Sequence, residues 1–149
     1  MKKLFVVRHG DYDDDNRLNE HGKKQIRELA KIVQADLNGY SVLILSSSAP
    51  RASDSAEAMD EVLKVGFEEN KVFWYDSSHW SNPDDAHKAI MEKKDDADVI
   101  IVITHLDFTE DIPGIFMNEL GIDAHCCSVG KGQAWKIDLE NRTMQRISP

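Results

Sequence analysis

Four apolar runs divide the chain at intervals that leave room for a helix between them. KLFVV at 3–7, VLIL at 42–45, KVFWY at 71–75 and ADVIIVITH at 97–105 each predict a strand. The first, second and fourth are continuous in hydrophobicity rather than alternating, the pattern of strands covered on both faces. Between the first two, Ile26, Leu29, Ala30, Val33 and Leu37 recur at helical spacing and predict an amphipathic helix over about 20–36. Pro50, suited to a first helical turn, opens a second helix with Ala52, Ala56, Met59 and Leu63 on its inner face. Residues 84–94, opened by NPDD, predict a third helix, and 111–120 a fourth, with Pro113 restricting where it begins. QAWKIDL and RTMQRI, separated by Glu140 and Asn141, predict an antiparallel hairpin.

Strand and helix therefore alternate, which predicts a three-layer α/β/α fold with a mostly parallel central sheet. Ligands in such sheets gather beyond the carboxyl ends of the strands. That rule brings Arg8 and His9, the segment 46–51 and His105 to one rim.

Composition narrows the possibilities. A length of 149 residues suits one domain spanning 1–149. Against 18 lysines and arginines stand 27 carboxylates, and the net charge of −9 disfavours nucleic acid as a partner. No apolar run approaches the roughly 20 residues of a membrane span. The opening KKLFVV is too short for a secretory leader, so no membrane association and a cytoplasmic location are expected. Cys126 and Cys127 are adjacent, have no partner pair at metal-ligand spacing, and are read as two buried or half-buried thiols. Any anion site on this acidic chain is a local positive island.

The predicted rim has the residues for such an island. Arg8 and Arg51 offer planar donor forks that match phosphate oxygens, and Arg51 falls in the first turn of a helix, where free N–H groups also favour an anion. Gly10 lets the backbone turn and approach a ligand closely. His9 is a candidate nucleophile toward phosphorus, and a protonated His105 a candidate donor to the same phosphoryl group.

The same segments carry a resemblance. VVRHG, LSSSAPRASDSAE and IVITHLDF resemble, in that order, three motifs of the histidine phosphatase (phosphoglycerate mutase-like) superfamily. The short chain, the RHGD start, RLNEHGKKQ and THLDF are most similar to the SixA-type phosphohistidine phosphatases. The resemblance implies a phosphatase in which His9 becomes a covalent phosphohistidine while Arg8, Arg51 and His105 bind the phosphoryl group. It implies no metal and no cofactor, and a phosphorylated protein or a small phosphorylated molecule as partner. Arg17 matches a basic position in the similar loop and is a candidate at the entrance. The proton donor is open among Asp11, which directly follows the motif, Asp76, Asp84, Asp85 and none of these.

A phosphoramidate leaving group needs less help from an acid than an alkoxide does, which favours phosphohistidine in a protein. A small phosphate ester, or phosphate binding without catalysis, are the alternatives. With no insertion long enough to form a lid, a shallow, open pocket is expected. His21, His79, His87 and His125 are read as solvated, and Ser46, Ser47 and Ser48 as turn and helix-cap residues. Asp13, Asp14 and Asp15 are expected to form a solvated rim loop that suits a basic patch on a protein partner.

Overall fold

Six strands form one mixed sheet in the computed structural model, which describes residues 1–124 and 126–149. β1 (Lys3–Arg8) lies beside β4 (Val99–Thr104) in parallel, with Lys3 opposite Val99 and Arg8 opposite Thr104. β4 pairs in parallel with β2 (Val42–Ser46), which pairs in parallel with the two-residue edge strand β3 (Glu68–Glu69). On the other side of β1, β5 (Ala134–Asp138) and β6 (Thr143–Ile147) form the expected antiparallel hairpin. The order is β3-β2-β4-β1-β5-β6.

Helices cover both faces because the central strands are apolar on both. Phe5, Val7, Ile101 and Ile103 face α1 (Glu20–Ala35) and α2 (Pro50–Leu63), packing with Ile26, Leu29, Val33, Ala52, Ala56 and Met59. Leu4, Val6, Ile100 and Val102 face α3 (Pro83–Met91) and α4 (Phe108–Glu119), packing with Ile90, Phe108, Ile112 and Phe116. The chain leaves β1 toward β2, but leaves β4 toward β5 on the opposite side. The gap between the carboxyl ends of β1 and β4 is thus the point at which a ligand crevice forms in open α/β sheets.

Two elements differ from the sequence expectation. KVFWY is not a strand: Lys71–Phe73 is a single 3₁₀ turn, and the edge strand lies earlier, at the two glutamates. Asn70 starts the turn by accepting from Val72 N, while Phe73 is fully buried and its carbonyl takes the Thr104 hydroxyl. Those bonds occupy backbone groups that a ladder would need. α4 begins at Phe108 rather than 111, with Pro113 inside it. Phe108, Ile112 and Phe116 bury the same face at i, i+4 and i+8, and that packing outweighs the one hydrogen bond Pro113 forgoes. No described helix is long and apolar enough to cross a membrane.

Candidate active site

Arg8 and Thr104 are ladder partners, so the residues that follow them, His9 and His105, leave the sheet side by side. Their ring centroids are 5.2 Å apart. The turn after β1 is tied down by His9 N to the Thr104 carbonyl (3.1 Å) and by Gly132 N to the carbonyls of Arg8 and His9 (both 3.1 Å). Gly10 N donates to Ser55 Oγ (3.0 Å), whose hydroxyl donates to the Arg51 carbonyl (2.7 Å). Gly10 is needed for space, because a Cβ there would stand 2.7 Å from the Gly22 carbonyl oxygen.

Arg51, in the first turn of α2, is the hub. Its Nε donates to His9 Nε2 (3.3 Å), its Nη2 to His105 Nδ1 (3.2 Å) and Asp76 Oδ2 (2.8 Å), and its Nη1 to Asn16 Oδ1 (3.4 Å). A guanidinium only donates, so these contacts define the tautomers. His9 keeps the lone pair on Nε2 and donates from Nδ1 to the Gly10 carbonyl (2.9 Å). His105 accepts at Nδ1 and donates from Nε2 to Ser47 Oγ (2.8 Å). Ser47 thus orients an imidazole as well as accepting from Ala49 N at the start of α2.

Burial, reinforced by the charges of Arg51, Arg8 and Lys131, lowers the His9 pKa to about 4. Burial, together with His9 and Arg51, lowers that of His105 to about 3. Both imidazoles are neutral at pH 7, whereas the sequence expectation had His105 protonated. The cations that suppress its charge are the groups a phosphoryl dianion would neutralise.

The reacting side chains are largely buried. His9, Arg51 and His105 are 3%, 7% and 3% exposed. Tyr12 packs edge-on to His9 (centroids 5.3 Å) with its ring 5.0 Å from Arg51 Cζ and 4.8 Å from Lys131 Nζ. Arg8 donates from Nη1 to the Val129 carbonyl (3.3 Å), and its buried Nε has no partner among the described residues.

The carboxylates divide by location. Asp76 is at the site, accepting from Arg51, Trp74 Nε1 (2.8 Å), Ser78 N and Oγ (both 2.8 Å) and His79 N (2.9 Å). Burial opposes its charge, but the donors Arg51, Trp74 and Ser78 outweigh burial and hold it far below the usual carboxylate range. Asp11 accepts from Asn19 Nδ2 and Lys131 Nζ (both 3.1 Å), and those two bonds lower its pKa. Asp84 and Asp85 stand in the first turn of α3, where Asp84 lines a different groove with Glu110 and Asp111. Arg17 turns away to a fork with Asp54 (2.7 Å twice). It borders a separate cavity of about 280 Å³ with Lys23, Arg27, Glu57 and Glu61. His79 stacks on Trp74 (3.5 Å), His87 pairs with Glu119 (2.9 Å), and His125 lies outside the described residues. Among the described residues, no three His, Cys, Asp or Glu side chains are grouped for a metal ion.

No family model and no curated protein matches the sequence. Solved structures do match. The protein histidine phosphatase SixA complexed with tungstate superposes with a TM-score of 0.79 at 16% identity, over 99% of this chain and 97% of that one. The chain has the histidine phosphatase fold. A mycobacterial glucosyl-3-phosphoglycerate phosphatase in complex with VO₃ superposes at a TM-score of 0.70 and 12% identity, over 99% and 97%.

Within this fold, sequence reasoning missed Tyr12, Lys131, Ser47, Ser55 and Gly22. Only Gly22 carried a local signal, as a glycine in a first helical turn where propensity disfavours it. Its Cβ would stand 2.1 Å from the Asp11 carbonyl oxygen, so α1 packs against the turn after β1 only with glycine there.

Proposed function

We propose that this chain is a phosphatase that takes a phosphoryl group onto His9 and releases it to water, its substrate a phosphohistidine carried by a protein. The observation that carries this reading is His9 itself: a neutral imidazole with its Nε2 lone pair turned toward the Arg51 guanidinium and its Nδ1 tied to a carbonyl. In the first step the phosphoryl oxygens take over the Arg51 donors and free the Nε2 lone pair. Nε2 attacks phosphorus, and the bond from phosphorus to the leaving nitrogen breaks, its electron pair staying on that nitrogen. A phosphohistidine protonated on its other ring nitrogen departs as neutral imidazole and takes no proton from the enzyme. Water then adds to phosphorus, the bond to Nε2 breaks, and phosphate leaves with both protons of the water. Arg8, Arg51 and His105 bind the phosphoryl oxygens, and Gly10 lets the turn that carries His9 lie against α1. The two histidine phosphatase folds compared above are described with tungstate and VO₃, which supports an oxyanion reading here.

Substrate choice follows from proton supply. Asp11 and Asp76 are both held as anions, so neither is suited to protonate an alkoxide. An ester reading draws support from the glucosyl-3-phosphoglycerate phosphatase likeness. Rates on a phosphohistidine protein and on a panel of sugar and nucleotide monophosphates separate the two. Incubation with ³²P-labelled phosphohistidine protein and an alkaline quench is expected to label wild type and leave His9→Ala unlabelled. Full turnover by His9→Ala, or a strong preference for the esters, overturns the reading.

A further inference from the structure

We propose that the rim above Arg51 is a docking surface for a basic, folded protein, which inserts its phosphorylated side chain between the loops at 12–16 and 74–80. The inference rests on the phosphatase reading and adds the chemistry of the partner.

Both loops hold the same guanidinium, Asn16 at Nη1 and Asp76 at Nη2. A phosphoryl group that reaches Arg51 therefore brings its carrier against both. The reacting groups are recessed, so a side chain projecting from a larger body reaches them while that body rests on the rim.

The second loop offers an apolar contact. Trp80 is 82% exposed, and Leu106, directly after His105, is 42% exposed. Single exposed apolar residues are ordinary on protein surfaces. Trp80, however, neighbours Tyr75 (6.3 Å), which itself stacks on the fully buried Phe108 of α4 (5.2 Å), so the exposed indole stands next to a ring anchored in the core. The loop is also well anchored, because the Asp76 carboxylate caps Ser78 N and His79 N while Trp74 stacks on His79. An exposed indole presented on an anchored loop is the kind of residue that carries binding energy at interfaces.

The first loop selects the sign of the partner. Asp13, Asp14 and Asp15 are exposed. The nearby cations are already engaged, Arg17 by Asp54 and Lys131 by Asp11. On a chain of net charge −9, these three exposed carboxylates, Asp13 also accepting from Asp15 N and Arg17 N, repel polyanionic metabolites at the mouth and complement lysines and arginines on a protein.

The test uses the full chain, a histidine-phosphorylated histone as basic protein probe, and free phosphohistidine as small probe. Trp80→Ala is expected to raise KM for the histone at least about tenfold, as truncation of an anchoring aromatic does, with turnover of the small probe unchanged. Asp13→Asn/Asp14→Asn/Asp15→Asn is expected to raise the same KM, and about 0.3 M salt to remove most of that difference from wild type. An unchanged histone KM in both variants, or equal losses on both probes, overturns the docking surface. If wild type turns over neither probe, the phosphatase reading falls and docking is judged from equilibrium binding of the phosphorylated histone. Weaker binding by Trp80→Ala then supports the surface, and equal binding overturns it.

Discussion

His9 and His105 follow paired residues on neighbouring strands, yet Arg51 gives each imidazole a defined acceptor nitrogen and keeps both neutral. A proton NMR titration is expected to place the His9 and His105 midpoints near 4 and 3. A midpoint near the ordinary histidine value for His9 would contradict the described hydrogen bonding. Asp76 belongs to the same unit, accepting from Arg51 Nη2 at 2.8 Å. Its pKa lies far below neutrality, so Asp76→Asn is expected to lower activity while leaving the alkaline side of the pH–rate profile unmoved. A shifted alkaline limb would assign Asp76 the proton. His9, Arg51 and His105 were legible in the sequence because the strand-end rule collects them whatever the loops do. Tyr12, Lys131 and the Arg51–Asp76 pair were not, since their contacts depend on loop paths such as the left-handed turn at Asn16 (φ 60°).

Glycines show how elements fix this geometry. Gly22 lets the start of α1 lie against the turn that carries His9 and Gly10. Gly22→Ala drives a methyl into the Asp11 backbone, with an expected loss of about 1–3 kcal/mol and a fall in activity, checked by urea denaturation and turnover. Gly114, inside α4, is the contrast: a Cβ there meets nothing within 4 Å. Gly114→Ala is expected to stabilise the protein by about 0.5–1 kcal/mol and leave activity unchanged. Element boundaries were legible where one periodicity dominated, as in α1. They were not at 71–75, where an apolar run serves one buried phenylalanine and two partly buried aromatics rather than a ladder. Nor were they at α4, where the hydrophobic face of Phe108, Ile112 and Phe116 overrides the punctuation of Pro113.

At the scale of the molecule, two buried neutral histidines link folding to pH. The unfolded chain binds their protons at the ordinary value of 6.5, and the folded chain binds that of His9 only near 4. Between these values the unfolded state holds more protons, so stability is present above pH 6.5 and is lost as pH falls toward 4. On the order of 3 kcal/mol is expected from His9 across that window, read from urea midpoints, with a flatter slope in His9→Asn. A slope unchanged by His9→Asn would place the acid sensitivity elsewhere.

The shortness of β3 has a different consequence, for the protein's life in a crowded solution. Both of its residues, Glu68 and Glu69, are exposed glutamates at the open side of the sheet. An unpaired strand edge is a template for a neighbouring chain, and brevity with like charge is how such an edge is kept from recruiting one. Replacing both with valine is expected to lower the temperature at which light scattering rises, as open edges on separate molecules begin to pair.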